Sequence, residues 1–196
     1  MLTGKKIGVG ITGSFCSLSK LFEVLDILKA NHADIYIVVT KEIESLDTRF
    51  YNHDVLMSDL KVYTQHEIVN SIVQAELFGP KIQLDLFLIM PATSNTISKI
   101  AYGICDNPVI MSTKATLRNQ KPIVIGMYTN DALGNSGSSW ISLYNRKYFY
   151  FVPFGQDDII HKPNSLVCNH KCVLDTVLNA LDGKQIQPVL ITYEND

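Results

Sequence analysis

The sequence predicts a single α/β domain built on a doubly wound, mainly parallel β-sheet with helices on both faces. Segments typical of strands alternate along the chain with segments of helical periodicity, which is the pattern of strand–helix–strand units. The strand segments are also continuously apolar and rich in β-branched residues, as expected of strands buried on both faces. Together these two observations predict the parallel sheet and the helices on both of its faces.

Five strands are predicted, at residues 7–12, 35–40, 84–90, 123–127 and 148–152. We expect Pro91 and Pro153 to end the third and fifth strands, because proline cannot donate to a sheet ladder. The spacing of apolar residues predicts helices at 18–30, 68–75, 96–102, about 138–143 and 173–181. The stretch 41–61 has the least regular pattern and is expected to form a long loop.

The composition excludes several classes of protein. The chain has 196 residues, of which 46% are apolar and 18% charged, so it can bury a sizeable core and is not disordered. We assign 1–191 to the domain and 192–196 to a frayed tail. The net charge of −2 argues against a dedicated nucleic-acid binder, and no apolar run approaches the roughly 20 residues of a membrane span. With no signal-peptide pattern and four scattered cysteines, we expect a cytoplasmic protein with free thiols.

Polar residues follow the predicted strands at the edge where ligands of parallel sheets bind. Hydroxyls and amides dominate these positions, and obvious pairs of a nucleophile with a base are rare. Gly13 and Ser14 follow the first strand shortly before a helix, where backbone N–H groups can hold a phosphate. The alternative for Ser14 is a plain helix cap. The pattern favours a polar, phosphorylated organic cofactor.

The run 91–107 carries the most information. Four consecutive polar side chains follow Pro91 and Ala92, which is more than one helix cap requires, and Lys99 comes a turn later. Such a cluster between a strand end and a helix N-terminus can bind phosphate, ribityl hydroxyls or the edge of a heterocycle.

Residues 8–13 also match the pattern G-x-G-x-x-G of dinucleotide-binding proteins. Gly8 and Gly10, however, lie inside the predicted strand instead of after it, and Asp34 stands at the start of the second strand instead of its end. We therefore interpret Gly8 and Gly10 as sites of close packing.

The run 91–107 resembles the signature P-A-[TS]-x-N-T-[IM]-x-K-[IM]-A-x-G-[IM] of the flavoprotein family that includes the flavin-containing cysteine decarboxylases. The resemblance implies a Rossmann-like flavoprotein fold and an FMN cofactor. Gly13, Ser14 and Thr40 fall where that family contacts FMN, and Asn130 alone matches its later P-x-M-N motif. The expected FMN-binding residues are Thr12, Gly13, Ser14, Thr40, Pro91, Ala92, Thr93, Ser94, Asn95, Thr96, Lys99 and Asn130.

Further segments resemble the narrower family of bacterial dipicolinate synthase B subunits. They lie at 2–14, 47–50, 114–120, 129–134, 150–158, 162–167 and 187–191. This resemblance implies oxidation of a dihydro- or hydroxytetrahydro-dipicolinate to pyridine-2,6-dicarboxylate, together with an A subunit that looks like a nicotinamide-dependent dehydrogenase. It also implies a homo-oligomer, because members of the wider family commonly complete the flavin site from a neighbouring chain.

A planar dicarboxylate substrate calls for cations, and Arg49 and Arg118 are the candidates, because a guanidinium can hold a carboxylate through two parallel hydrogen bonds. The alternative for Arg118 is a solvated helix end. The catalytic residue is not identified from the sequence; Asp131, Asp157 and Asp158 are candidates for removing a ring proton. We expect no metal site at Cys168 and Cys172, because no second ligand pair stands at zinc-site spacing.

Two other functions stay open. One is an FMN-dependent decarboxylase acting on a small acid, against which the missing P-x-M-N motif argues. The catalytic histidine of the decarboxylases is matched by His53 and His66 by region only. The other is a non-catalytic, flavin-free partner that stabilises or regulates the A subunit.

Overall fold

The computed structural model describes residues 1–191, and the predicted tail at 192–196 lies outside them. None of the helices in the described part of the chain is long and apolar enough to cross a membrane. The strands are β1 (Lys6–Ile11), β2 (Asp34–Val39), β3 (Leu86–Ala92), β4 (Ile123–Thr129), β5 (Phe149–Phe151), β6 (Phe154–Gly155) and β7 (Leu166–Cys168). The α-helices are α1 (Leu18–Ala30), α2 (Lys41–Ser45), α3 (His53–Lys61), α4 (Ile72–Glu76), α5 (Ser94–Tyr102), α6 (Pro108–Arg118), α7 (Gly137–Tyr144) and α8 (Val173–Leu181).

The sheet confirms the predicted fold class. Strands β1 to β5 pair in parallel in the order β2-β1-β3-β4-β5. The short strands β6 and β7 are antiparallel, and β7 extends the sheet beside the carboxyl end of β4. Helices α1 and α8 contact each other, while α4, α5, α6 and α7 form a second connected layer. The chain crosses from β1 to β2 on one side and then to β3 on the other, so a crevice opens at the carboxyl ends of β1 and β3.

Several expectations for individual elements were wrong. The stretch 41–61 is not one long loop, because it contains α2 and α3. The helix expected at 68–75 begins only at Ile72, since Val69 pairs with Val38 at the edge of the sheet. Pro91 does not end the third strand: β3 continues to Ala92, with a shift in register between Ile89 and Ala92. Strands β6 and β7 were not predicted, and helix α6 was foreseen only in the alternative that places Arg118 at a helix end.

Gly8 and Gly10 allow β1 to pack closely against its neighbours. A Cβ atom on Gly10 would lie 2.8 Å from the Phe87 ring and 2.9 Å from Val109, and one on Gly8 would overlap the same ring. Phe87 is fully buried in β3 and Val109 belongs to α6. The two glycines are therefore needed for packing inside the strand, in agreement with the interpretation from the sequence.

Candidate functional site

Two adjoining clefts lie along the carboxyl ends of β1 to β4, and both include Gly13 and Thr93. The β2-side cleft has a volume of about 570 Å³ and is further defined by Thr40, Asn95, Thr96 and Lys99. The β4-side cleft has a volume of about 830 Å³ and is further defined by Ser14, Arg49, Ser94, Tyr128, Asn130, Asp131 and Lys162. Of the residues expected to bind the cofactor, all except Pro91 and Ala92 line one of these clefts.

Thr12 joins the end of β1 to the end of β3. Its hydroxyl donates a 2.7 Å hydrogen bond to the Pro91 carbonyl and accepts one of 3.1 Å from the Thr93 backbone N–H. Thr12 is fully buried, and Pro91 and Ala92 are buried inside β3. These three residues hold the edge of the crevice in shape, and the Thr12 hydroxyl is already occupied by protein partners.

The polar run after β3 divides between the two clefts. Thr93 caps α5 through a hydrogen bond from the Thr96 backbone N–H to its hydroxyl, at 3.4 Å. As the helix starts, Ser94 faces the β4-side cleft, while Asn95 and Lys99 line the β2-side cleft. Lys99 forms an ion pair with Asp106 at 2.5 Å. One helix N-terminus thus supplies polar groups to both clefts.

Thr40 carries an unsatisfied buried hydroxyl. The residue is only 5% exposed and lines the β2-side cleft, yet its Oγ1 atom has no hydrogen-bond partner among residues 1–191. A buried hydroxyl without a partner costs about 1–3 kcal/mol, so such groups usually face a ligand or water. The position after β2 is therefore suited to an acceptor or donor supplied by a bound molecule.

Gly13 and Ser14 form the turn between the clefts. The backbone N–H of Ser14 bonds to the Thr12 carbonyl at 2.7 Å, and the Ser14 hydroxyl lies 3.2 Å from that of Ser17. Gly13 is exposed, and a Cβ added to it would approach nothing closer than 3.7 Å. The exposed backbone at Gly13 can be approached from either cleft.

Asp131 supplies a carboxylate to the β4-side cleft, beside Asn130. Its Oδ1 accepts hydrogen bonds from the Thr129 hydroxyl at 2.6 Å and the Ser136 hydroxyl at 3.0 Å. Partial burial tends to raise the pKa of Asp131, but these hydrogen bonds outweigh it and the pKa lies below its usual value. Asp131 is therefore ionised and poorly suited to removing a proton.

Tyr128 and Cys168 lie side by side at the β4-side cleft, and neither of them was assigned to the site from the sequence. The Tyr128 hydroxyl is buried and has no hydrogen-bond partner within the described chain. Burial raises the pKa of Cys168 to about 12 and raises that of Tyr128 well above its usual range. Both groups are neutral at physiological pH. No local pattern in the sequence indicates them, because they meet only through the antiparallel pairing of β4 with β7.

Arg49 reaches the β4-side cleft from a tightly bonded loop between α2 and α3. Asp47 Oδ1 accepts hydrogen bonds from the backbone and the ring of His53, at 2.9 and 2.7 Å. The Thr48 hydroxyl accepts bonds from the backbone N–H groups of residues 50 and 51, both at 3.2 Å. The Arg49 guanidinium lies 4.8 Å from the centre of the Phe50 ring and forms no ion pair with residues 1–191.

Arg118 is not brought to the clefts. It ends α6, whose first residue, Pro108, lines the β2-side cleft, and eleven residues of helix extend for about 16 Å. Its guanidinium lies near Gly79, beyond α4. The orientation of α6 against the sheet therefore favours the alternative interpretation of Arg118 as a helix end.

The two histidines singled out by region have structural partners. His53 is bonded to Asp47, as described above. His66 is bonded to Asp34 at 2.7 Å and stacks on the Tyr36 ring at 3.8 Å. Asp34 begins β2, so His66 lies at the edge of the sheet opposite to the clefts.

Comparisons with known proteins agree with this architecture. The family model described as Flavoprotein matches residues 1–146. The dipicolinate synthase B subunit of Bacillus subtilis (strain 168) is 42% identical over 190 residues, which cover 97% of this chain and 95% of that protein.

Two solved structures share the fold. The dipicolinate synthase B subunit from Bacillus halodurans has a TM-score of 0.90 at 43% identity, over 97% of this chain and 98% of that chain. The FMN-dependent cysteine decarboxylase SpaF has a TM-score of 0.67 at 18% identity, over 92% and 99% of the two chains. The second likeness shows a shared fold and nothing about the reaction.

Proposed function

This chain belongs to the flavoprotein family, and we propose that it is the FMN-binding component of a dipicolinate synthase. In this proposal it acts with an A subunit to form dipicolinate, either from a dihydrodipicolinate by loss of two hydrogens or from a hydroxytetrahydrodipicolinate by loss of water and two hydrogens. The support comes from the near full-length similarity to dipicolinate synthase B subunits and from the two clefts at the carboxyl ends of the parallel strands.

The observation that carries the cofactor assignment is the unpartnered hydroxyl of Thr40 in the β2-side cleft. Together with Gly13, Ser14, Thr93, Ser94, Asn95, Thr96, Lys99 and Asn130, it makes a donor set suited to the phosphate and ribityl hydroxyls of FMN. Bound FMN would supply the two-electron acceptor that this chain's side chains cannot provide. Thr12, Pro91 and Ala92 would keep the edge of the site in shape.

The substrate is proposed to occupy the β4-side cleft, where Arg49 has no acidic partner within residues 1–191. A guanidinium on a tightly bonded loop can bind a carboxylate through two hydrogen bonds and orient the ring. Oxidation of a dihydropyridine gains aromaticity, so it does not call for a strong base. This agrees with the neutral Tyr128 and Cys168 and with the low pKa of Asp131.

Both the A subunit and a homo-oligomer belong to the proposal. The B. subtilis relative is named as one component of a synthase with several, which supports a heteromeric enzyme. Both clefts are open at the surface, which agrees with a site that a second chain completes. The proposed location is the cytoplasm, where the four thiols would stay reduced.

The decarboxylase alternative is favoured by the fold that this chain shares with decarboxylases such as SpaF. The region after β4 reads Thr129, Asn130 and Asp131 in place of the P-x-M-N motif. A decarboxylase would release carbon dioxide from a small acid, whereas a flavin-free regulator would neither release carbon dioxide nor form dipicolinate. Assays of carbon dioxide release and of dipicolinate formation separate these functions.

The first experiment is a titration of the purified chain with FMN, alone and with the A subunit, followed by calorimetry and flavin absorbance. We expect saturable binding with a shifted flavin spectrum and dipicolinate formation that requires both subunits. Absence of FMN binding in both states would refute the flavin assignment. Full synthase activity of the A subunit alone would refute a catalytic role for this chain.

A further inference from the structure

The β4-side cleft receives cations from two separate loops. Arg49 comes from the loop between α2 and α3, and Lys162 from the loop between β6 and β7. The two residues are 113 positions apart in the sequence, yet they border the same cleft. A small anionic ligand in this space can therefore meet a positive group from each of two loops, beside the carboxylates of Asp131 and Asp157 that line the same cleft.

The other two basic side chains at this cleft, Lys20 and His170, share one carboxylate partner. Glu23 contacts Lys20 at 3.1 Å and the His170 ring at 2.8 Å. These hydrogen bonds, with that from His170 the larger, hold the pKa of Glu23 below its usual value, so the carboxylate stays ionised. Glu23 thereby joins α1 to the turn before α8.

Lys162 is held differently. Its ammonium is 3.3 Å from Asp157, which lines the same cleft, and its side chain is 53% exposed. Partial burial tends to raise the pKa of Asp157, but the neighbouring Ser165 hydroxyl and the Lys162 ammonium bring it below its usual value. Asp157 therefore keeps a donor when the Lys162 ammonium turns towards a ligand.

The backbone that carries Lys162 is fixed by the loop's own hydrogen bonds. The Gln156 side chain donates to the Pro163 carbonyl at 2.8 Å, and the Lys162 N–H donates to the Asp158 carbonyl at 2.9 Å. Only the flexible side chain of Lys162 has to move to reach the cleft. The entropy lost on binding is then limited to one side chain.

We infer that Arg49 and Lys162 each bind one carboxylate of a small dicarboxylate, and that Lys162 determines the preference for dicarboxylates over monocarboxylates. The inference rests on the proposed function, since it assigns the substrate to the β4-side cleft. Arg49 alone accounts for binding of one carboxylate. A second charge-assisted contact is needed to distinguish ligands that carry a second carboxylate.

The test compares two ligands that differ by one carboxylate, pyridine-2,6-dicarboxylate and pyridine-2-carboxylate. Calorimetry is done on the full-length protein with and without saturating FMN, for the wild type, Lys162→Met and the control Lys147→Met. Lys147 lies over the Tyr148 ring, away from both clefts, and its replacement changes net charge equally. Thermal unfolding verifies that the variants are folded.

We expect the wild type to prefer the dicarboxylate by about tenfold, which corresponds to one charge-assisted hydrogen bond. Lys162→Met should reduce this ratio to about twofold or less by weakening the dicarboxylate alone, and Lys147→Met should keep it. A wild-type ratio near one, or an unchanged ratio in Lys162→Met, would overturn the inference. Failure of FMN binding is detected separately in the flavin titration, and it refutes the proposed cofactor without affecting the ratio measured on flavin-free protein.

Discussion

The Thr12 hydroxyl donates a 2.7 Å hydrogen bond to the carbonyl of Pro91, 79 residues further along the chain. The same oxygen accepts a bond from the Thr93 backbone N–H at 3.1 Å. One side chain thus joins β1 to β3 where the sheet changes winding direction. Because Gly13 and Thr93 border both clefts, the geometry of the whole candidate site depends on this link.

Replacement of Thr12 by valine should destabilise the fold. Valine has nearly the same shape, but it leaves the Thr93 N–H and the Pro91 carbonyl without their buried partner, at a cost of about 1–3 kcal/mol. The measurement is the free energy of unfolding in urea. Thr113→Val is the matched control, since its buried hydroxyl bonds only to the Val109 carbonyl inside α6. An equal loss of unfolding free energy in the two variants would show that the Thr12 link between β1 and β3 stabilises the fold no more than a hydroxyl bond within one helix.

Replacement of Thr40 by valine should separate cofactor binding from stability. The Thr40 hydroxyl has no partner in the described chain, so its removal should leave the free energy of unfolding unchanged or slightly higher. FMN affinity should fall about tenfold, as expected when one buried hydrogen bond to the ligand is lost. Thr176→Val removes an α8 hydroxyl bonded to the carbonyl of Cys172, the residue before that helix, so it should lower the free energy of unfolding and leave FMN affinity unchanged. Unchanged FMN affinity in Thr40→Val would exclude Thr40 from the cofactor site.

Replacement of Arg49 by alanine should weaken binding of pyridine-2,6-dicarboxylate by about tenfold or more, because a charge-assisted contact contributes about 1.5–3 kcal/mol. Lysine at this position should restore part of the affinity, since it keeps the charge without the planar fork of donors. Arg118→Ala serves as the control and should bind as the wild type does. Calorimetry measures all three. If Arg118→Ala weakens binding and Arg49→Ala does not, the β4-side cleft is not the dicarboxylate site.

The loop that carries Arg49 should be most stable at mildly acidic pH. The hydrogen bond from His53 to Asp47 raises the pKa of His53 above 6.5, and the bonds that Asp47 accepts lower its pKa below 3.8. The His53 contribution is complete below pH 6.5 and is lost as pH rises through the higher folded pKa. The Asp47 contribution is complete above pH 3.8 and is lost as pH falls through the lower folded pKa. Both are present together between pH 3.8 and 6.5.

This pH dependence is measured as the difference in unfolding free energy between the wild type and His53→Asn across pH 3 to 9. The difference should be largest in the mildly acidic window and should shrink at higher pH. Asp54, 3.4 Å from the other ring nitrogen, acts in the same direction. His32→Asn is the control, because His32 is exposed and its φ of 62° is one that asparagine also adopts. A difference that grows above pH 7 would contradict the assigned sign.

The fold class and the sheet edge that carries the candidate site were predictable because both depend on local patterns. Apolar periodicity distinguishes helices from buried strands, and the residues after each strand mark the binding edge of a parallel sheet. The polar run at 93–96 was identified in this way, and it does line the clefts. The packing role of Gly8 and Gly10 was also predictable from the sequence, because glycines of the dinucleotide-binding pattern follow a strand and these two lie inside one.

The sequence by itself determined the alternation of strands and helices, the class of sheet and the edge that carries the polar residues. The tertiary structure decided which of these residues face a cleft, because that depends on partners far apart in the chain. The Thr12 hydroxyl is bonded to the Pro91 carbonyl. Tyr128 and Cys168 lie together because β4 pairs antiparallel with β7, and Arg118 lies at the end of α6 that is far from the clefts. Local periodicity fixes the conformation of neighbouring residues, whereas the order of strands and the direction of helices decide which distant side chains meet.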